Sequence, residues 1–111
     1  MKIGHVIVPA ADLEAQLRFY NSLGLTTKFC DGDRYAAITD GAVTIGLADE
    51  SQQPVAGRTV VSIEVDDLDT WVARLRATGA TVDEPVVGPH ERRTVVTDPS
   101  GNPVVIYERT A

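Results

Sequence analysis

The sequence predicts an α+β protein made of two tandem β-α-β-β-β modules. Two observations carry this. His5-Val6-Ile7-Val8-Pro9-Ala10-Ala11-Asp12-Leu13 is echoed by Val60-Val61-Ser62-Ile63-Glu64-Val65-Asp66-Asp67-Leu68, each a β-type run leading into Asp-Leu. Asp12 is followed by Gly24, and Asp67 by Gly79, at the same spacing. An acidic N-cap opens a helix and a glycine closes it. Repetition of that unit points to a duplicated supersecondary structure.

In chain order, residues 2–9 alternate in β-favouring types and form the first strand. Leu13, Leu17, Tyr20 and Leu23 recur at helical spacing between Asp12 and Leu23. Strands follow over 25–30, 34–39 and 42–48, separated by the Asp31-Gly32-Asp33 turn and the Asp40-Gly41 hairpin signal. The polar stretch Asp49–Gly57 is the linker, so module one is 1–48, the linker 49–57 and module two 58–111 of a single domain. The second module repeats the order: a strand over 59–65, a helix whose apolar face is Leu68, Trp71, Val72 and Leu75, then strands over 81–83, 92–97 and 103–108. The longer loop Glu84–Glu91 is its main departure. Asp98-Pro99-Ser100-Gly101-Asn102 is a turn built from helix-incompatible residues.

At 111 residues with 43% hydrophobic content, the chain is long enough to bury one core. Its apolar runs are strand-sized, so no membrane span is expected, and the N-terminus reads as a strand without a signal peptide. The single cysteine, Cys30, excludes an internal disulfide framework and fits a cytoplasmic location; it reads as inert packing. A net charge of −6 argues against nucleic acid and mildly favours cationic ligands. No phosphate loop, dinucleotide fingerprint or zinc spacing is present.

The tandem modules resemble the vicinal oxygen chelate superfamily, the glyoxalase, bleomycin-resistance and extradiol-dioxygenase group. His5 seven residues before Asp12, Phe19-Tyr20 ahead of Leu23-Gly24-Leu25, and Asp98-Pro99-Ser100-Gly101-Asn102 carry the resemblance. It implies curled mixed sheets around a central cavity, helices outside, and assembly as a homodimer. It also implies that His5 faces the cavity. Strand alternation then turns Ile3, Ile7, Thr44, Gly46, Ala48, Val60, Ser62, Glu64, Val105 and Tyr107 the same way. Gly4, Val6, Val8, Val43, Ile45, Leu47, Val61, Ile63, Val65, Val104 and Ile106 are expected toward the helices. Of Arg92 and Arg93, one faces inward, and the sequence leaves open which.

In metal-dependent relatives, the resemblance implies four ligand positions, one on each of four strands. Here these hold His5, Gly46, Val60 and Val105, and only the imidazole can bind a metal. The resulting expectation is a binding protein without a catalytic metal or other cofactor. It would sequester a small organic molecule, an antibiotic or a metabolite, and do no chemistry. The expected binding residues are His5, Ile7, Thr44, Gly46, Val60, Ser62, Glu64, Val105 and Tyr107, with the glycine and valines leaving a roomy apolar floor. His90 is expected to be exposed in its loop. Two other readings stay open: a lyase, isomerase or dioxygenase with an atypical divalent-metal site, and a regulatory domain with a vestigial pocket.

Overall fold

The computed structural model describes residues 1–110. Among them are nine strands, two α-helices and a 3-10 turn: β1 Lys2–Pro9, α1 Leu13–Ser22, β2 Thr26–Asp31, β3 Tyr35–Thr39, β4 Thr44–Ala48, the turn Glu50–Gln52, β5 Val60–Glu64, α2 Leu68–Ala77, β6 Thr81–Val82, β7 Val86–Val87, β8 Glu91–Thr97 and β9 Pro103–Arg109. The expected α+β class and element order are present. One strand is additional, because Val86–Val87 in the long loop pairs with Arg92 and Arg93 of β8.

The two helices are built alike. Asp12 Oδ1 accepts from the Ala15 N–H at 3.1 Å, and Asp67 Oδ1 from the Thr70 N–H at 3.2 Å. At the far ends, Gly24 and Gly79 take φ of 100° and 87°. Each passes the chain into paired closing bonds: Gly24 N–H to Asn21 and Leu25 N–H to Tyr20, then Gly79 N–H to Arg76 and Ala80 N–H to Leu75. These are Schellman closures, which glycine enters without a Cβ clash.

The chain forms two compact units: His5–Thr59, and Met1–Gly4 together with the chain from Val60 onward. In the first, the order is β2-β3-β4-β1, antiparallel except for β1 beside β4. Its core is Ala10, Leu13, Ala36, Ile38 and Leu47, with Val8, Leu17, Tyr20, Leu25 and Ile45 packed on it. In the second, the first residues of β1 lie beside β5, followed by β9, β8 and β6, with β5 and β9 parallel. Its core is Val65, Leu68, Val72, Val96 and Ile106, joined by Ile63, Trp71, Leu75, Ala80, Val82 and Val104. Leu17, Trp71 and Leu75 are half-buried against these cores, and Val6 is half-buried on β1.

Three expected packing positions are corrected. Val61 is 37% exposed and Val43 55%, because each lies at the start of its strand or just before it, beyond the reach of a ten-residue helix. Cys30 is exposed, not packed, because all of β2 is an exposed edge strand; its thiol donates to the Gly32 carbonyl at 3.4 Å. Among the described residues, no helix is long and apolar enough to cross a membrane.

Candidate ligand-binding faces

In the His5–Thr59 unit, the sheet face turned away from α1 carries Ile7 of β1, Tyr35 and Ala37 of β3, and Gly46 and Ala48 of β4. The register sets Ile7 beside Gly46, Gly46 beside Ala37, and Ala48 beside Tyr35. Ile7, Ala37, Gly46 and Ala48 are buried, whereas His5, Thr44 and Tyr35 are half-buried. The Tyr35 ring lies directly over Gly46. A Cβ at that position would stand 2.8 Å from Tyr35 Cζ, 3.0 Å from Cε1 and in collision with the hydroxyl oxygen. The roomy floor expected at Gly46 is therefore corrected: a tyrosine side chain from the neighbouring strand occupies it. Burial raises the Tyr35 phenol above its ordinary value, so it is neutral at physiological pH. Phe29 of β2 leans on this ring at a centroid distance of 6.5 Å and is itself exposed.

In the other unit, the face turned away from α2 carries Val60, Ser62 and Glu64 of β5 and Val105 and Tyr107 of β9. Ser62 stands beside Val105, and Glu64 beside Tyr107. Val60, Ser62, Val105 and Tyr107 are all under a tenth exposed. Glu64 accepts from Arg109 Nε at 2.7 Å and pairs with Lys2 Nζ at 3.8 Å. The Arg109 hydrogen bond, then the charges of Arg109 and Lys2 and a hydrogen bond from Tyr107, hold its carboxyl below the usual glutamate range. The Tyr107 ring reaches Gly4 of β1, where a Cβ would collide with the hydroxyl oxygen and sit 3.0 Å from Cζ. Gly4 thus faces this tyrosine and not a helix, correcting its expected side.

The same register decides between the two arginines. Arg93 stands opposite Tyr107 and shares its face, pairing with Glu91 at 2.8 Å. Arg92 turns to the helix side, where it bonds Asp69 at the start of α2 and Glu108 at 3.3 Å. His90 is exposed in its loop. An open hollow of about 240 Å³ lies at the Glu64 end of the face, lined by Met1, Lys2, Glu64, Val65 and Asp66. That is below the roughly 300–1,000 Å³ of drug-sized sites. It lies away from Val60 and Val105. Lys2, Tyr35, Arg93 and Arg109 were not among the expected binding residues; for Arg109 the signal was available, since it follows Tyr107 by two on the same strand.

The sequence model of the Glyoxalase/Bleomycin resistance protein/Dioxygenase superfamily matches residues 2–106. The chain belongs to this superfamily. A Mycolicibacterium smegmatis protein described only as "Uncharacterized protein" is 40% identical over 103 residues, covering 92% of this chain and 89% of that one. A glyoxalase/bleomycin resistance protein/dioxygenase superfamily member from Vibrio splendidus 12B01 superposes with a TM-score of 0.72 at 16% identity, over 94% of this chain and 96% of that one. A protein from Legionella pneumophila, described as an NAD-dependent benzaldehyde dehydrogenase, superposes with a TM-score of 0.80 at 16% identity, over 95% and 97%. At that identity the two structures are similar in fold alone.

For a glyoxalase-superfamily chain, the divalent metal of the metal-dependent members is the group to test against the residues present. They do not fit it. At the four ligand positions, Val60 and Val105 are buried hydrocarbon, Gly46 has no donor and no room for one beneath Tyr35, and His5 is a single imidazole. Among the described residues, no group of three or more His, Cys, Asp or Glu could hold an ion. Glu64, the nearest acid on these strands, is committed to Arg109 and Lys2.

Proposed function

We propose that this superfamily member is a small-molecule binding protein that works without a catalytic divalent metal, capturing a small organic ligand by shape and hydrogen bonding. The observation that carries this reading is the Tyr35 ring seated on Gly46, in the place a metal-ligating side chain would need. Buried Val60 and Val105 at two of the other positions support it, since a Lewis acid cannot be held by hydrocarbon. His5, Ile7, Thr44, Val60, Ser62, Glu64, Val105 and Tyr107 remain the proposed contact residues, with Tyr35 in place of Gly46, which its ring covers, and Lys2 added at the open hollow. The ligand class is an antibiotic or a metabolite small enough for these faces, bound in the cytoplasm.

The reading also includes a homodimer. Met1 and Ile3 are 76% and 67% exposed, and Phe19, Leu23 and Phe29 more than half exposed, apolar surface that a second copy would cover. Light scattering at micromolar concentration should report two chains per particle.

The deciding experiment is elemental analysis of protein purified without added metal, with ligand screening before and after chelator. Less than stoichiometric metal and chelator-independent binding are expected. One tightly held divalent ion per chain with His5 among its ligands would overturn the reading and return the chain to the lyases, isomerases or dioxygenases.

A further inference from the structure

Ser62 is 1% exposed, and its Oγ is a buried side-chain atom with no hydrogen-bond partner among the described residues. Burying an unpaired hydroxyl costs free energy that an alanine or valine there would not. Its neighbours on the strand face, Val60 and Val105, offer no donor or acceptor. A native chain that retains such a group calls for an explanation, and a missing oxygen or nitrogen partner is one.

The second observation is the course of Tyr107. Its backbone belongs to β9, paired with Glu64, yet its hydroxyl end rests on Gly4 of β1. Since β5 lies between β9 and β1, the ring crosses β5 on the face that carries Ser62 and Glu64. Gly4 is what allows this: any Cβ would strike the ring end. Glycine inside a strand weakens it and marks a close approach by another group. Tyr107 is thus a strap over β5, seated on Gly4 at its far end and tied to Glu64 by a hydrogen bond that lifting would break.

From these two relationships the geometry points to a cryptic site in which the oxygen of a small neutral molecule, a phenol, alcohol or ketone, hydrogen-bonds Ser62 Oγ once Tyr107 lifts from Gly4. The ligand is neutral because Ser62 carries no charge and its flanks are hydrocarbon, where an unpaired ion would be severely penalised. Val60 and Val105 supply the apolar contact. This site rests on the metal-free binding reading and specifies the ligand chemistry of one of its faces.

The test is an amide NMR titration of the full chain with phenol and with toluene, near-isosteres in which a methyl replaces the hydroxyl. Phenol should shift the Ser62, Val105 and Tyr107 resonances and bind roughly fivefold tighter than toluene, the worth of one hydrogen bond. Ser62→Ala should abolish that advantage. Gly4→Ala, which unseats the ring, should tighten phenol binding; Tyr107→Leu removes the strap directly and serves if Gly4→Ala does not fold. Equal affinities for the two probes, shifts confined to other residues, or a phenol advantage that survives Ser62→Ala would overturn the proposal. So would phenol binding that is unchanged or weaker in whichever strap variant folds. Metal content is measured separately, so failure here leaves the metal-free reading standing, whereas a stoichiometric metal defeats that reading whatever phenol does.

Discussion

Glu108, near the end of β9, accepts a hydrogen bond at 3.1 Å from the backbone N–H of Leu68, the first residue of α2. A helix start leaves such N–H groups without intrahelical partners. Asp67 serves one locally, and Glu108 serves another from forty residues away. Arg92 fastens the arrangement by bonding both Glu108 and Asp69. Glu108→Ala should therefore cost about 1 kcal/mol, read as a lower urea midpoint, and Glu108→Gln should recover most of it through its remaining acceptor oxygen. If the two variants lose equally, the N–H bond is not what Glu108 contributes.

The Tyr35–Gly46 contact makes a second prediction. Gly46→Ala places a methyl 2.8 Å from Tyr35 Cζ, so the half-buried ring must move. Overpacking of this kind costs about 1–3 kcal/mol. Adding Tyr35→Leu in the same chain should restore most of the loss, because the obstructing ring is gone. A double variant as unstable as the sum of its parts would show that the glycine is needed for backbone reasons instead.

Much of the fold was legible because the strands alternate strictly. Val8, Ile45, Ile63, Val104 and Ile106 all pack on the helix side, as period two requires. The paired Asp and Gly residues located both helices to within a residue or two. What alternation does not encode is how far a helix extends along a strand, so Val43 and Val61 were assigned to cores that stop short of them. Nor does it show where a long side chain ends. Tyr107 was placed on the right face and Tyr35 on none; the glycines both rings cover lie on other strands, which strand alternation does not reveal. Edge position is equally invisible locally, which is why Cys30 was assigned to packing. For the same reason, a site floor read from single residues looked open when neighbours in space had closed it.

Core depth supplies a third prediction. Leu68 is fully buried among Val65, Val72, Val96 and Ile106, whereas Leu75 is only half-buried at the edge of the same core. Leu68→Ala should cost about 2–5 kcal/mol, a large share of a small domain's stability. Leu75→Ala should cost less, and Val61→Thr, on the exposed strand start, should stay within about 0.5 kcal/mol. Chemical denaturation of the three variants should give that order; a Val61 loss as large as that of Leu68 would contradict the packing.

The pH dependence follows from which groups the fold perturbs. Backbone and side-chain hydrogen bonds hold Asp40, Asp67 and Asp98 below the ordinary aspartate value, and Arg92 and Arg109 do the same for Asp69 and Glu64. A carboxylate with a depressed folded pKa stabilises the native state above its unfolded value, 3.8 for aspartate and 4.5 for glutamate, and that stability is lost as pH falls through the folded value. The urea midpoint should therefore hold from neutrality to about pH 5 and fall steeply below it. Asp98→Asn should make that fall shallower, because one fewer proton is taken up on unfolding. Tyr35 acts at the other end. Its folded pKa is raised above 10.0, so the unfolded chain ionises first and stability declines as pH rises from there through the folded value. Tyr35→Phe should remove that share of the alkaline decline while leaving the acid side as it was. An alkaline limb identical in Tyr35→Phe and the parent would mean that the ring seated on Gly46 is open to water.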